Sequence, residues 1–494
     1  MADRQPLGPT VFVLFGATGD LSKRMVLPSF FQLAAAGLLP EDWILIGNGR
    51  GDVPVDRFRA HVRDAVTEFG VHRDDEWDAF AEHLRFAGGG FTTEEPGALP
   101  AVIASAREAL AAPDAQLVHY LALPPHAFAE VTRALGTHGL ARGARVVYEK
   151  PFGTSQKAFT ELDTAVHEVL DERQVYRIDH FLGKESTQNL HILRFANGLF
   201  DGVWNGDHVA QVQIDVPETL DIDDRALFYD STGAVLDMLV THLFQVAAEV
   251  AMEPPGSFDA DDLQTARESV IGAFRPLDVG DVVLGQYDGY RDVPGVADDS
   301  ETETFVAARL WVDTDRWRGV PFLLRTGKKL GVSRQQVSLI FRPPAGPLTD
   351  IPPAGAVLSF DLSGNGEIDL TMVVKEPGPA DVLSVGHLGL PLDTVPNGHA
   401  LAPYSRLILD ILHGDRSLFT RPDGLAHVWE VAAPLLNNPP TPESYLAGSM
   451  GPPEADHLAS PCGWLVGRDS TRGSMPGRKS HPLQAAKDTV VIHG

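Results

Sequence analysis

A short apolar run that ends in a glycine turn constrains this chain more than any other feature. Val11-Phe-Val-Leu-Phe15 passes directly into Gly16-Ala17-Thr18-Gly19-Asp20-Leu21. A run apolar at every position predicts a strand buried on both faces, as in a parallel sheet covered by helices. Residues 21 to 39 then place Met25, Phe30, Phe31 and Leu33 at helical spacing, with Pro28 making that helix imperfect. Strand, glycine turn and helix together open a dinucleotide-binding unit. Gly16 permits the tight turn, and Gly19 lets the main chain approach a pyrophosphate at the helix N-terminus. The spacing is G-x-x-G rather than G-x-G-x-x-G, so the turn alone is equally compatible with an ordinary loop.

The next elements of the chain favour the dinucleotide reading. Trp43-Ile-Leu-Ile46 reads as a second buried strand and ends in Gly47-Asn48-Gly49-Arg50. A charged helical stretch spans 57–69, and further strands are expected at 117–123 and 145–148. Thr154 is placed to cap a helix whose stripe is Phe159, Leu162, Val166 and Val169. Alternating strands and helices predict an N-terminal Rossmann-type, doubly wound parallel sheet. An NAD-specific site usually carries an acid at the end of the second strand; here Arg50 stands there, with Lys23 and Arg24 expected near it. An arginine there binds a 2′-phosphate and favours NADP, with NAD the weaker alternative; the bland reading is a solvated surface arginine.

Beyond about residue 178 the pattern changes. Residues 211–216, 304–312, 337–341 and 368–374 alternate as half-buried antiparallel strands do, with helices at 235–250 and 404–412. The expected organisation is a dinucleotide domain over 1–178, an α+β domain with a mostly antiparallel sheet over 179–466, and a mobile polar tail over 467–494.

Composition then narrows the function. The formal charge of −27 opposes nucleic-acid binding, so any anionic ligand must be small and held by a few local cations. Metal-ligand patterns are absent: there is no Cys-x-x-Cys, and His167-Glu168 lacks the second histidine of a metalloprotease helix. Gly183-Lys184 and Gly327-Lys328 lack the rest of a phosphate-binding P-loop. The single Cys462 fits a reducing compartment. No run is long enough to span a bilayer and the first apolar run is too short for a signal core, so a cytoplasmic location is expected.

The segment Arg177-Ile-Asp179-His180-Phe181-Leu-Gly183-Lys184-Glu185 packs an acid, a base and a cation together. With Gly19-Asp20-Leu21, Glu149-Lys150-Pro-Phe-Gly153, Ser300 to Phe305, Arg316 to Phe322, Arg325 to Lys328 and Tyr445 to Pro452, it resembles the glucose-6-phosphate dehydrogenase family over roughly residues 10 to 465. The resemblance implies oxidation of β-D-glucose 6-phosphate at C1 to the lactone with hydride transfer to NADP, the entry to the pentose phosphate pathway. It implies His242 as the base in Asp237-Met-Leu-Val-Thr-His242, with Asp179 orienting it, and Lys150, after a cis bond to Pro151, at the junction of cofactor and substrate. His180 and Lys184 would hold the phosphate, Lys328 would reach sugar and phosphate, and Glu218 and Asp237 would hold hydroxyls. Gly16, Thr18, Gly19, Asp20, Leu21, Arg50 and Lys150 would hold the cofactor, without metal. A homodimer or homotetramer, associating through the second-domain sheet, is implied as well.

The chain departs from the family pattern at Phe181 for tyrosine, Leu236 for arginine, Val240-Thr241 for Gln-Asn, Gly206 and Leu284 for arginines, and in the run 223–229, which lacks glycines. These changes are expected to cluster on the sugar and phosphate side. Besides the family's own reaction, a divergent enzyme acting on another sugar or sugar phosphate and a non-catalytic NADP-binding regulator remain open readings.

Overall fold

A computed structural model of the chain describes residues 6–70, 74–222, 225–346, 355–364, 366–396, 398 and 400–467. The tail expected over 467–494 lies outside them from residue 468 onward. The first sheet is built from β1 (Thr10–Phe15), β2 (Trp43–Asn48), β3 (Leu84–Ala87), β4 (Gln116–Leu121), β5 (Arg145–Tyr148) and β6 (Val175–Ile178). They are parallel in the order 3-2-1-4-5-6, the doubly wound arrangement whose ligand crevice lies at the carboxyl ends of β1 and β4. Every residue of β1 and β2 is buried, which is why both read as unbroken apolar runs.

The strands β3 and β6 have no such run, because each is four residues long with an arginine inside it. Arg177 of β6 is buried and pairs with Asp163 at 2.9 Å and Glu172 at 2.9 Å. The helix after β5 starts at Gln156, and its cap is Ser155 rather than Thr154: the Ala158 amide donates to the Ser155 hydroxyl at 3.1 Å.

The second sheet takes β7 (Val209–Pro217), β8 (Val282–Tyr287), β9 (Phe305–Leu310), β10 (Phe322–Gly327), β11 (Gln336–Phe341), β12 (Val357–Asp361), β13 (Glu367–Lys375) and β14 (Leu383–Pro391). After them come β15 (Phe419–Thr420), which joins the first sheet antiparallel to β6, and β16 (Glu443–Tyr445). The second sheet runs 14-13-12-11-7-10-9-8-16 and is antiparallel except at β7–β10 and β8–β16. One face packs on the helical segment 235–251, where Leu239, Leu243 and Val246 meet Val212, Ile214 and Leu324 in a single core.

Two local features position the site. Residues Val235–Leu243 wind as a wide π-helix with i→i+5 bonds. In an ordinary α-helix, residues five apart diverge by about 140° around the axis; the wider winding brings Asp237 and His242 towards one side. The helix Pro403–His413 comes from the second half of the chain yet buries Leu407, Ile408 and Ile411 in the first-domain core beside Phe12 and Phe30. Among the described residues, no helix is long and apolar enough to cross a membrane.

Candidate active site

The glycine turn lies at the carboxyl end of β1. Gly16 has φ +70°, and a Cβ there would stand 2.2 Å from the Ala122 carbonyl oxygen. Only glycine fits so close to the neighbouring strand. The Gly19 amide and the buried Ser22 hydroxyl both donate to the Gly16 carbonyl at 2.9 Å, which fixes the turn. Thr18 and Asp20 are exposed at its tip and Leu21 half-exposed. Arg50 follows β2, exposed and without an ion pair among the described residues. Lys23 and Arg24 do not join it: Lys23 pairs with Glu68 at 2.7 Å, Arg24 lies 3.8 Å from Asp20, and both sit over the Phe69 ring. A cradle closed to any side chain, followed by an unpaired arginine, fits a dinucleotide carrying a 2′-phosphate.

The candidate reacting groups meet where the two domains face each other. His242 Nδ1–H donates to Asp179 Oδ1 at 2.7 Å, and Lys150 Nζ donates to His242 Nε2 at 2.8 Å. The same ammonium donates to Asp237 Oδ1 at 3.2 Å and to the Asp237 carbonyl at 3.2 Å. The Lys150–Pro151 bond is cis. His180 stands edge-on to His242 with ring centroids 4.6 Å apart, and Phe181 stacks on His242 at 4.7 Å. Asp179 also accepts from the Phe181 amide at 2.9 Å.

Burial dominates the electrostatics. It holds His242 well below the usual imidazole range, and the Lys150 charge adds to the effect. Burial likewise lowers His180 and pushes Asp179 up to about 6. A neutral imidazole with its Nδ1–H on Asp179 leaves the Nε2 lone pair facing Lys150. Burial would raise Asp237 as well, but Lys150, Arg225 and Lys328 outweigh it and hold its carboxyl below the ordinary range.

The remaining cations flank this centre. Lys184 Nζ donates to Gln335 Oε1 and to the Leu362 carbonyl, and lies 4.4 Å above the Phe181 ring; burial lowers it to about 8. Lys328 pairs with Glu218 and lies over the Tyr229 ring. The structure thus brings together Lys150, Asp179, His180, Asp237 and His242, with Lys184 beside Phe181 and the Glu218–Lys328 pair acting on the same field.

Three groups join the site without any local signal. Tyr404 stacks over His180 at 6.3 Å, and Gln335 holds Lys184. Tyr120 donates to the buried Glu149, next to Lys150, at 2.5 Å.

The departures from the family pattern cluster only in part as expected. Phe181 touches Lys184 and His242, and of the run 223–229, whose residues 223 and 224 lie outside the described residues, Arg225 acts on Asp237 and Tyr229 lies under Lys328. Leu236, Val240 and Thr241 line a separate cavity, Gly206 lies beside Arg316, and Leu284 is buried in the second-sheet core. Helical spacing accounts for Leu236, Val240 and Thr241, since neighbours of Asp237 and His242 point away from the side those two share.

A doubly wound sheet with a glycine turn suited to a pyrophosphate, and a buried pair of Asp179 at the end of its β6 with His242 of the second domain, defines a nicotinamide-dinucleotide-dependent dehydrogenase. The profile described as "Glucose-6-phosphate dehydrogenase, NAD binding domain" matches residues 13–189, and that described as "Glucose-6-phosphate dehydrogenase, C-terminal domain" matches 191–464. The chain is 35% identical over 479 residues to "Glucose-6-phosphate 1-dehydrogenase" of Gluconobacter oxydans, covering 92% of this chain and 96% of that one. It is similar to the crystal structure of that enzyme from Mycobacterium avium, with TM-score 0.80, 34% identity, and 92% and 97% of the two chains covered. It is also similar to a structure titled "Glucose-6-phosphate dehydrogenase in complex with its substrate glucose-6-phosphate", with TM-score 0.85, 31% identity, and 94% and 99% covered. The chain belongs to the glucose-6-phosphate dehydrogenase family.

Proposed function

We propose that the chain oxidises β-D-glucose 6-phosphate at C1 to the 6-phosphogluconolactone, and that His242 is the base. The contact that carries this reading is Asp179–His242–Lys150, a neutral imidazole oriented at one nitrogen and open at the other. NADP supplies the hydride acceptor. Gly16, Thr18, Gly19, Asp20 and Leu21 hold its pyrophosphate end and Arg50 its 2′-phosphate. As C1 loses hydride, its hydroxyl proton passes to His242 Nε2, and Asp179 stabilises the imidazolium that results. Lys150 yields Nε2 to the substrate and turns its charge to the C1 oxygen. His180 and Lys184 bind the 6-phosphate, while Glu218, Asp237 and Lys328 fix the sugar. The family matches across both domains favour this reaction over a different sugar and over a non-catalytic role.

Homo-oligomerisation through the second sheet is supported by an exposed apolar face on its outer edge. Register sets Leu370 opposite Leu388 and Ile368 opposite Leu390 on one face, buried at Ile368, partly buried at Leu370 and Met372, and exposed at Val374. Leu388 is 61% exposed and Leu390 47%. A second copy of the chain covers such a face at low cost. The acidic charge and the single cysteine support a cytoplasmic location.

The deciding experiment follows reduced-nicotinamide absorbance with purified protein, NADP or NAD, and a panel of sugar phosphates with free glucose as control. NADP reduction confined to glucose 6-phosphate is the expected result. Turnover of another sugar alone would replace the substrate, and nucleotide binding without any turnover would remove the reaction.

A further inference from the structure

The seam between the domains contains a second opening, a cavity of about 820 Å³. That volume lies within the usual range for small-molecule pockets. One wall comes from the dinucleotide domain, with Leu162 on the helix Gln156–His167 and Ala129 and Arg133 on the helix Phe128–Thr137. The opposite wall is Leu236 and Val240 of the wide helix, with Trp429 from the helix Pro422–Asn437. No residue of the glycine turn lines it, and neither do Arg50, His180, Lys184, Glu218, Asp237 or Lys328. It meets the site described above at Pro151 and Thr241, the sequence neighbours of Lys150 and His242, and at Pro124 and Pro125, which follow β4 beside the dinucleotide crevice.

The charges at its rim are unequal. Arg133 is exposed and makes no ion pair among the described residues. His126 lies on the same rim. The single lining carboxylate, Glu161, is offset by Lys157 at 3.7 Å, and Glu130 beyond the rim is engaged by the Thr93 amide and hydroxyl at 2.9 Å each. The opening therefore presents an apolar, aromatic-walled interior with the exposed Arg133 guanidinium at its mouth, its charge also reaching Glu130. That combination suits a flat ring system bearing one anionic group, which the arginine can grip with two donors.

We propose that this cavity is a regulatory site for an aromatic carboxylate or sulfonate. The ring lies between Leu162, Leu236, Val240 and Trp429, and the anion pairs with Arg133. An occupant wedges the dinucleotide domain away from the helix that carries Asp237 and His242. The 2.8 Å contact of Lys150 with His242 spans the same seam, so occupancy lowers kcat and leaves the KM for sugar phosphate unchanged.

The probe is 8-anilinonaphthalene-1-sulfonate added to the full-length protein, followed by its own fluorescence and by energy transfer from tryptophan. Those binding readouts do not depend on the reaction assigned above. One saturable site is expected, with affinity about fivefold weaker in Arg133→Ala and abolished in Ala129→Trp, which fills the space. Both variants keep their basal turnover, and the bound probe lowers kcat of the unaltered enzyme. The surface variant Arg133→Ala decides the matter even where the larger side chain is not accommodated. Equal binding by Arg133→Ala and the unaltered protein would overturn the proposal, and so would displacement of the probe by NADP, which would place it in the dinucleotide crevice.

Discussion

At His242 the two ring nitrogens have separate partners, and that division is what a base needs. Asp179 holds Nδ1–H at 2.7 Å while Nε2 points to Lys150 at 2.8 Å. Asparagine at this position keeps a donor for Asp179 but has no nitrogen that can accept the hydroxyl proton. His242→Asn should lower kcat by about 10²–10⁴-fold and leave the KM for glucose 6-phosphate within about twofold. A loss confined to KM in steady-state kinetics would show instead that His242 only binds. Arg50, proposed for the other end of the site, is exposed at the close of β2 and makes no ion pair among the described residues. Arg50→Ala should raise the KM for NADP by at least about tenfold, the worth of one charge-assisted pair, and leave that for NAD nearly unchanged. Parallel losses for both cofactors would remove it from the 2′-phosphate.

Helix ends and windings set the stability of the frame around those groups. The helix Pro422–Asn437 begins against Glu268, whose Oε1 accepts from the Arg421 amide at 3.3 Å. A Cβ at Gly424 would stand 1.5 Å from Glu268 Oε2, so glycine alone leaves room for this acid at the helix N-terminus. The acid is nonetheless costly when charged: burial pushes it up to about 7, against the favourable charge of Arg267, and Oε2 has no hydrogen-bond partner among the described residues. Because its folded-state value is raised, protonation favours the folded chain. The stability this provides is complete below the ordinary carboxyl range and is lost as pH rises through about 7. Burial also raises Glu303 to about 7, with the same sign. Thermal unfolding should therefore show Tm falling as pH rises from about 4.5 to about 7 and levelling off above that, and Glu268→Gln should flatten part of that fall. An unchanged slope would show that Glu268 keeps its charge in the folded state.

Across the whole molecule, the chain crosses between its two sheets more than once. The helix Pro403–His413 and β15 return from the second half to the first sheet, and Tyr404 thereby comes over His180. The two sheets are held by one continuous chain passing back and forth, which keeps the seam narrow where Lys150 meets His242. The outer edge is different: β13 and β14 expose Leu388, Leu390 and Val374 on one face. A charge placed there has no cost in a monomer and a large one inside an interface. Leu388→Asp should reduce the mass measured by light scattering to that of one chain and leave circular dichroism unchanged. Retention of the larger assembly would move the interface elsewhere.

Local chemistry made the first domain legible. An unbroken apolar strand such as Val11 to Phe15, with glycines next to it, leaves few alternatives to a buried parallel strand and a phosphate turn, because burial on both faces removes polar positions. β3 and β6 escaped notice because an arginine interrupts each, half-buried Arg85 in β3 and buried Arg177 in β6, and Arg177 is tolerated only through carboxylates supplied by another helix and turn. The cap passed from Thr154 to Ser155 because two adjacent hydroxyl residues offer the same chemistry and only the backbone path selects one. The candidate site residues were named by motif, one at a time. Their meeting is a property of the fold: Asp179 and His242 are 63 positions apart, and Tyr404 reaches Glu149 across 255. The wide winding that turns Asp237 and His242 to one side, and Leu236 and Val240 to another, left no mark in residue type. Sequence alone determined the cofactor turn, the change from parallel to antiparallel patterning and the roster of chemical groups. Tertiary structure decided which groups touch, how burial shifts their protons and where the substituted positions point, because each of these depends on distances that sequence separation does not set.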